Sequence, residues 1–414
     1  MSSTTNSLDA FKSVFGEISE PPYCSGTATL DASTATLFYN TENKTELLNF
    51  AHASEDQLTS LAAACQQATF GVDQKDVLDE SYRKAGKLDA TQFATQFSPF
   101  PGIIDTVRES LLHGEHSEKS IKAEIYKLNV YGLGSFFKSH VDTPRSDTMF
   151  GSLVVVLPIT HEGGSLICRH RGEECEFDTA KAVMSENSPQ VAFVAFFSDV
   201  EHEVSKVISG YRVTLTYNLY FVDRSAAPKA PLAVPSDPVN KLKPALLKLL
   251  ASPTFLPNGG LLGFYLSHKY PFNPATTSLA SLEKHLKGND ASIRRICKAL
   301  SLDVSLKAIY PSDNEECDGS CLLDSFADLG GFQIENGVTE YLRSEEAATI
   351  VYDSLGEDLN KEDAVPIVWL KPQGVTNSFR QPYVRYGNEA TLDYTYGEVC
   401  LVTEIGPPED RIVA

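Results

Sequence analysis

Two stretches of the chain decide its fold: residues 127–159, KLNVYGLGSFFKSHVDTPRSDTMFGSLVVVLPI, and residues 196–221, FFSDVEHEVSKVISGYRVTLTYNLYF. In both, short runs of β-branched and aromatic residues are separated by Gly and Pro, a pattern that is typical of strands joined by turns. Helical segments of about 10–15 residues do not interrupt the runs, which argues against a parallel βαβ sheet. The pattern therefore predicts a sandwich or a jelly roll.

Strand-like patterns continue on both sides of these stretches. The strands predicted for the region are Glu124–Tyr131, Ser152–Ile159, Ser165–Arg169, Val191–Phe197, His202–Ile208 and Tyr211–Phe221. Upstream, we predict strands at Thr27–Leu30 and Thr34–Tyr39, and the spacing of apolar residues predicts flanking helices at Glu55–Gln67 and Ile103–Leu112. Charged residues dominate from Asp73 to Lys87, which suits a surface segment or a lid.

A proline-rich stretch divides the chain. Residues 225–238, SAAPKAPLAVPSDP, contain four prolines and are the best candidate for a linker. Beyond it, helical patterns occur at Val239–Leu250, Leu279–Leu286 and Ala291–Leu300, and strand-like runs occur at Val304–Tyr310, Val365–Leu370 and Thr391–Thr403. We therefore predict a flexible Ser/Thr-rich N-terminus at 1–20, a mainly β domain with flanking helices at 21–224, and an α+β C-terminal domain of unknown role at 239–414.

Composition restricts the class of protein. The 414 residues are 42% hydrophobic, enough to bury a core, and they carry a net charge of −20, which disfavours nucleic-acid and membrane partners. Apolar runs stay well short of the roughly 18 residues of a membrane span, and the first residues do not have the pattern of a secretory signal. The eight scattered cysteines are then expected to be free thiols, and we expect an intracellular protein, cytoplasmic or nuclear.

The spacing of His140 and Asp142 points to a metal site. In a strand, residues i and i+2 lie on the same face, so an imidazole and a carboxylate can converge on one ion. The similar patterns at 113–115 and 116–118 lie in a charged segment, where we expect solvated side chains. Downstream, His202 follows an apolar strand. Two histidines and one carboxylate form the facial triad of non-haem iron(II) oxygenases, which leaves coordination positions open.

Arg212 and Thr214 follow in the last predicted strand. Arg212 lies ten residues after His202, too far along the chain to be a ligand of the same ion, but its planar guanidinium can donate two hydrogen bonds to a carboxylate. A dicarboxylic keto acid fits this arrangement, with its keto-acid end on the metal and its distal carboxylate on Arg212 and the Thr214 hydroxyl. A strand with one solvated face would show the same alternation, so Arg212 has weight only together with the triad.

These residues form a pattern that extends over residues 124–221. Its members are Tyr131, Gly134, His140-Val141-Asp142-Thr143-Pro144, Gly163-Gly164, His202-Glu203-Val204 and Arg212-Val213-Thr214. On this pattern the region resembles the catalytic core of Fe(II)/2-oxoglutarate-dependent dioxygenases, specifically the prolyl 4-hydroxylase-like family. The resemblance implies a mainly β catalytic core, a double-stranded β-helix or jelly roll, with iron held between its sheets.

The resemblance also implies roles for individual residues. His140, Asp142 and His202 would bind Fe(II), Arg212 would bind the distal carboxylate of 2-oxoglutarate, and Tyr131 would be a further contact to this co-substrate. The implied enzyme uses O2 and 2-oxoglutarate, with ascorbate as an optional reductant, and releases succinate and CO2. It hydroxylates an unactivated C–H bond of a peptidyl proline, of another protein side chain, or of a small molecule.

The chain departs from the family pattern at one position, and alternatives remain open. Some relatives carry a tyrosine on the next strand that helps to hold 2-oxoglutarate, whereas Leu153–Leu157 is aliphatic throughout. Which group besides Thr214 joins Arg212 at the distal carboxylate therefore stays open. The alternative function is a catalytically inactive double-stranded β-helix that serves as a binding module, although a complete triad argues against it. The oligomeric state stays unknown.

Overall fold

The computed structural model of the chain describes residues 2–17, 20–42, 44–72, 75–112, 119–183, 189–222, 237–312, 319–330, 333–334, 337–355, 364–371, 377–386 and 391–411. These residues form two compact units. The N-terminal unit contains those between 21 and 222; the C-terminal unit contains those from 237 onward together with helix α1 (Ser2–Glu17). Within the described part of the chain, helices long and apolar enough to cross a membrane are absent.

The N-terminal unit consists mainly of strands, flanked by helices α2 (Glu55–Ala64), α3 (Gly102–Leu111) and α4 (Thr179–Val183). Its strands are β1 Tyr23–Thr29, β2 Thr36–Asn40, β3 Thr45–Asn49, β4 Gln66–Gln67, β5 Phe70–Val72, β6 Lys75–Val77, β7 Arg83–Lys84, β8 Gly86–Asp89, β9 Phe93–Thr95, β10 Ser120–Tyr131, β11 Phe136–His140, β12 Met149–Val156, β13 His161–Gly163, β14 Leu166–His170, β15 Glu173–Phe177, β16 Gln190–Phe197, β17 Glu201–Val204, β18 Val207–Gly210 and β19 Arg212–Val222.

Two antiparallel sheets dominate this unit. The larger has seven strands in the order β1-β16-β12-β19-β10-β8-β4, and the smaller has five in the order β15-β14-β17-β11-β7. Apolar side chains from both sheets, such as Leu153 and Leu215 from the larger and Leu166 and Val204 from the smaller, belong to one hydrophobic cluster. The mainly β fold with flanking helices that the sequence predicts is therefore confirmed.

Two details of this region differ from the sequence prediction. The strand predicted at His202–Ile208 is divided into β17 and β18, because β17 pairs with β11 and β14 whereas β18 pairs with β13. The charge-rich segment Asp73–Lys87 is also more than a surface segment, since Arg83 in its second half is buried and β8 joins the larger sheet.

The C-terminal unit combines a mixed eight-stranded sheet with helices, as predicted for an α+β region. The helices are α5 Asp237–Leu250, α6 Leu279–Glu283, α7 Gly288–Ala299 and α8 Val338–Ser344. The strands are β20 Gly260–Tyr265, β21 Val304–Pro311, β22 Ser320–Leu323, β23 Gln333–Ile334, β24 Thr349–Asp353, β25 Val365–Leu370, β26 Ser378–Arg385 and β27 Thr391–Ile405, in the sheet order β20-β25-β24-β22-β21-β27-β26-β23.

The N-terminus corrects an expectation. Residues 1–20 were expected to be flexible, but Ser2–Glu17 forms helix α1, and Leu8, Phe11 and Phe15 are buried in the hydrophobic cluster of the C-terminal unit. These three residues follow a helical spacing, so one face of α1 is apolar although its composition is rich in Ser and Thr. Of the expected linker, residues 225–236 lie outside the described part, and residues 237–238 begin helix α5.

Candidate active site

The three predicted metal ligands come together at the ends of two neighbouring strands. His140 ends β11 and pairs with His202 of β17, and Asp142 follows two residues after His140. Their ligand atoms all lie within 4.8 Å of one another, and Nε2 of His202 is 3.9 Å from Oδ1 of Asp142. Two imidazoles and one carboxylate are a donor set that suits a non-haem iron with open positions.

Backbone carbonyls orient both imidazoles. Nδ1 of His140 lies 2.8 Å from the carbonyl oxygen of Lys138, and Nδ1 of His202 lies 3.0 Å from that of Val200. A carbonyl oxygen only accepts hydrogen bonds, so Nδ1 must carry the proton in each ring. In the neutral form of each ring, Nε2 then carries the lone pair that a metal ion needs. The ring of Phe137 stacks on His140 with 3.6 Å between ring centroids and restricts its rotation.

The charge states of His140 and Asp142 favour binding of a cation. Burial, together with the nearby charge of His202, lowers the pKa of His140 to about 3, so this ring is neutral near pH 7. Burial opposes the ionisation of Asp142, but His202, His140 and a hydrogen bond from Ser152 hold its pKa below the usual value. Oγ of Ser152 donates to Oδ2 of Asp142 at 2.5 Å. Ligands that are already deprotonated can bind a metal ion without first losing protons.

Arg212 lies at the start of β19, opposite Tyr131 of β10. Its side chain is buried, with only 1% of the residue exposed, and its Cζ lies 5.4 Å from the centroid of the Tyr131 ring. Burial lowers the pKa of Arg212 to about 10, so the guanidinium remains charged at neutral pH. Among the described residues, Nε and Nη2 find no hydrogen-bond partner.

A buried cation with unused donors is costly unless an anion joins it. Nε and Nη2 lie on one edge of the guanidinium, which matches the two oxygens of a carboxylate. The residues present therefore fit a dicarboxylic keto acid at both ends, with the triad for the keto-acid end and Arg212 for the distal carboxylate.

The other predicted co-substrate contact, Thr214, lies on the same face of β19 as Arg212. It pairs with Asn129 of β10 and Val156 of β12, and it is buried. The triad is tied to this sheet through Ser152, which pairs with Asn218 of β19 and donates to Asp142. The structure thus places Arg212, Tyr131 and Thr214 together on two adjacent strands of the larger sheet and the triad on the smaller sheet and the turn after it.

Sequence reasoning missed Arg83, which lies beside the triad. This residue of β7 is buried, and its Cζ lies 4.2 Å from the centroid of the Phe137 ring that stacks on His140. Its Nη1 donates to the carbonyl of Thr69 at 2.7 Å, and its Nη2 donates to Oδ1 of Asn129 at 2.9 Å. In the sequence Arg83 stands among other charged residues, and no local signal distinguishes it from a surface cation.

Sequence reasoning also missed His161, a single histidine before Gly163-Gly164. It lies in β13 with only 5% of its surface exposed. Its Nδ1 is 2.8 Å from the carbonyl oxygen of Ile159, and in the part of the chain that the structure describes Nε2 has no partner. The signal in the sequence was its position next to the glycine pair.

Arg169, the last residue of a predicted strand, is paired with two carboxylates. Arg169 forms ion pairs with Glu174 and Glu203, with N–O distances of 2.6 and 3.1 Å. The two His-x-Glu patterns at 113–118 lie outside the described residues, as does Cys317. The seven cysteines that the structure describes are free thiols, as predicted.

Comparison with known protein families gives one match that covers most of the residues described above. Residues 126–220 match the model of the 2OG-Fe(II) oxygenase superfamily, which confirms the resemblance inferred from the sequence. None of the curated proteins matches the chain.

Several solved structures are similar to parts of this chain. A prolyl-4-hydroxylase of Pseudomonas putida is 17% identical over 51% of this chain and 98% of its own, with a TM-score of 0.30. A prolyl hydroxylase of Trichoplax adhaerens, solved in complex with a hypoxia inducible factor oxygen degradation domain peptide fragment, is 14% identical over 53% of this chain and 91% of its own, with a TM-score of 0.31. An oxidoreductase of the 2OG-Fe(II) oxygenase family from Burkholderia pseudomallei is 15% identical over 54% of this chain and 94% of its own, with a TM-score of 0.24.

Proposed function

We propose, on the premise that residues 126–220 belong to the 2OG-Fe(II) oxygenase superfamily, that this chain is an Fe(II)- and 2-oxoglutarate-dependent dioxygenase that hydroxylates an unactivated C–H bond. The buried guanidinium of Arg212, with two unused donors, is the observation that carries the proposal. In this proposal the two antiparallel sheets of the N-terminal unit form a double-stranded β-helix. Residues 21–224 are the catalytic domain, and residues 239–414 are a separate domain.

His140, Asp142 and His202 hold the iron, and Arg212 and Thr214 hold the distal carboxylate of 2-oxoglutarate. Bound iron supplies the redox chemistry that couples decarboxylation of the co-substrate to substrate oxidation. The protein contributes orientation: carbonyl hydrogen bonds fix both imidazoles and Ser152 fixes Asp142, so the ligands need little rearrangement when the metal binds. The Tyr131 ring, with its centroid 5.4 Å from Cζ of Arg212, is a further contact to 2-oxoglutarate in this proposal.

The substrate is proposed at the level of its class. A peptidyl proline or another protein side chain is the first candidate, and a small molecule is the second. An inactive module that binds 2-oxoglutarate without turnover is the alternative function, and retention of both the triad and Arg212 argues against it.

Succinate formation tests the reaction class. The protein is purified anaerobically, loaded with Fe(II) and 2-oxoglutarate, and exposed to O2 with candidate peptides or a metabolite extract. We expect succinate from the wild type, loss of it in His140→Ala and Asp142→Ala, and partial recovery at high 2-oxoglutarate in Arg212→Ala. The exposed His52→Ala and Arg380→Ala are matched controls that should retain wild-type activity.

Two outcomes would decide against the proposal. A wild-type protein that binds neither Fe(II) nor 2-oxoglutarate excludes the dioxygenase. A protein that binds both but forms no succinate with any substrate tested supports the binding module instead.

A further inference from the structure

His161 and Arg212 are two buried side chains near each other in the fold, and both have nitrogen atoms without partners among the described residues. His161 pairs with Gly210, and Arg212 follows two residues after Gly210. The positive charge of Arg212 contributes to the lowered pKa of His161, although burial is the larger cause. Two buried side chains from different strands thus present free nitrogen atoms in the same neighbourhood.

Glycines make this close approach possible. A Cβ at Gly210 would lie 2.3 Å from the carbonyl oxygen of Thr160 and 3.0 Å from Cα of His161, so only glycine lets β18 approach β13. A Cβ at Gly164 would lie 2.8 Å from Cδ of Arg212, and Gly164 has a φ of +69°, which favours glycine. His161 and Arg212 are therefore positioned by backbone geometry that a side chain at either glycine would disturb.

We propose that His161 is a positioning residue for the co-substrate and donates a hydrogen bond from a protonated Nε2 to the same distal carboxylate that Arg212 binds. This inference rests on the proposed function. It gives the distal carboxylate a second partner, a role for which some relatives use a tyrosine on the strand that is aliphatic here at Leu153–Leu157. Because Nδ1 donates to the carbonyl of Ile159, Nε2 of the neutral ring carries only a lone pair. A carboxylate next to that lone pair is repelled, and protonation of Nε2 turns the repulsion into a charge-assisted hydrogen bond.

The charged groups around His161 agree with a ring that is neutral before the ligand binds. Arg212 on β19 disfavours the imidazolium, whereas Asp178, just before α4, favours it weakly. Asp178 is itself paired with Lys181 of α4 at 2.7 Å, and Glu162 on β13 accepts a hydrogen bond from Ser209 of β18. Binding of an anion offsets the charge of Arg212, so the pKa of His161 rises in the complex and one proton is taken up from solvent.

Proton uptake on binding is the measurement that tests this role. Isothermal titration calorimetry of 2-oxoglutarate into the Zn(II)-loaded protein, in buffers of different ionisation enthalpy, gives the number of protons taken up without turnover. We expect up to one proton per 2-oxoglutarate near pH 7 to 7.5, and a dissociation constant that rises by as much as about tenfold per pH unit. The control ligand 2-oxopentanoate has a methyl group in place of the distal carboxylate and should bind without this uptake.

Two variants separate a positioning role from a structural one. His161→Gln keeps a neutral donor and should bind 2-oxoglutarate without proton uptake, whereas His161→Phe should weaken its binding by about ten- to a hundredfold. Neither variant should change the affinity for 2-oxopentanoate, which reports on the metal end of the site.

The outcomes distinguish this inference from the proposed function. If the wild type binds 2-oxoglutarate without proton uptake, or if His161→Phe weakens the binding of 2-oxoglutarate and 2-oxopentanoate equally, the role proposed for His161 is wrong. The proposed dioxygenase function is unaffected by either result. If the Zn(II)-loaded wild type does not bind 2-oxoglutarate at any pH, both proposals are wrong.

Discussion

Two buried sites, one in each unit of the chain, satisfy their charged side chains in opposite ways. In the C-terminal unit, the buried carboxylate of Asp290 accepts hydrogen bonds from the backbone N–H groups of Ser267 and His268, at 2.7 and 3.1 Å, and from the Tyr270 hydroxyl at 2.8 Å. This network satisfies the carboxylate within the protein. Such a network stabilises and specifies a fold.

In the N-terminal unit, the buried Arg212 and His161 keep nitrogen atoms without partners among the described residues. Both lie next to glycines that are required by close packing, so the unsatisfied atoms come from a well-defined local structure. Because native proteins satisfy most buried polar groups, a cluster of exceptions calls for an explanation. In the function that we propose, a ligand supplies the missing partner of Arg212, whereas at Asp290 the protein itself supplies the partners.

The largest expected effect is a loss of affinity for 2-oxoglutarate when the positive charge of Arg212 is removed. Arg212→Met keeps a similar volume but removes the charge, so the affinity for 2-oxoglutarate should fall by more than about a hundredfold. The ligand-free protein should be unchanged or stabilised by about 1 to 2 kcal/mol, because an unpaired buried charge is removed. Urea unfolding and calorimetry with 2-oxoglutarate measure the two effects, with Arg380→Met as the exposed control.

A large loss of stability in ligand-free Arg212→Met would break the comparison. It would mean that Arg212 is a satisfied structural group like Asp290, and that its free donors have partners in solution.

Local sequence patterns predict the strands and the triad, but not the buried residues whose positions depend on strand pairing. The strands were predicted because alternation and Gly/Pro punctuation are local signals, and the triad was predicted because His140 and Asp142 are two residues apart. His161 and Arg83 were missed because their positions depend on strand pairing: β13 pairs with β18, and β7 pairs with β11. Pairing between strands distant in sequence cannot be read from local periodicity.

Helix α1 was missed for a different reason. Its apolar residues Leu8, Phe11 and Phe15 lie among Ser and Thr, which have low helix propensity, so the composition suggested a flexible segment. Burial of this face in the core of the C-terminal unit outweighs that propensity. Tertiary packing, not the local sequence, decides the structure here.

The second prediction concerns Asp290, whose buried carboxylate has its hydrogen-bond partners within the protein. Asp290→Ala leaves two backbone N–H groups and the Tyr270 hydroxyl without their acceptor, which should lower the free energy of unfolding by about 3 kcal/mol. The affinity of the folded protein for 2-oxoglutarate should not change. Urea unfolding measures the loss, and the exposed Asp303→Ala in the same unit is the matched control.

If Asp290→Ala were as stable as Asp303→Ala, the network would contribute nothing to stability. The contrast between a closed structural network and an open ligand site would then no longer hold.

The smallest expected effect is a pH dependence of the free energy of unfolding of the metal-free protein. The pKa of His140 in the folded state is about 3, below the value of about 6.5 in an unfolded chain, and the pKa of His161 is also lowered. The unfolded state therefore binds more protons at mildly acidic pH, so these groups destabilise the fold as the pH falls below about 6.5. For His140 this loss should be about 1 kcal/mol in the free energy of unfolding between pH 7.5 and 5.5, and His161 should act in the same direction.

Urea unfolding of the metal-free protein at the two pH values measures this loss, and His140→Gln isolates one contribution. The variant has no titrating ring at this position, so its stability difference between pH 7.5 and 5.5 should shrink by about 1 kcal/mol relative to the wild type. The exposed His52→Gln is the matched control and should leave the difference unchanged. An unchanged difference in His140→Gln would show that this ring is readily protonated in the fold. Burial in the N-terminal unit would then not favour the neutral form of His140 over the protonated form.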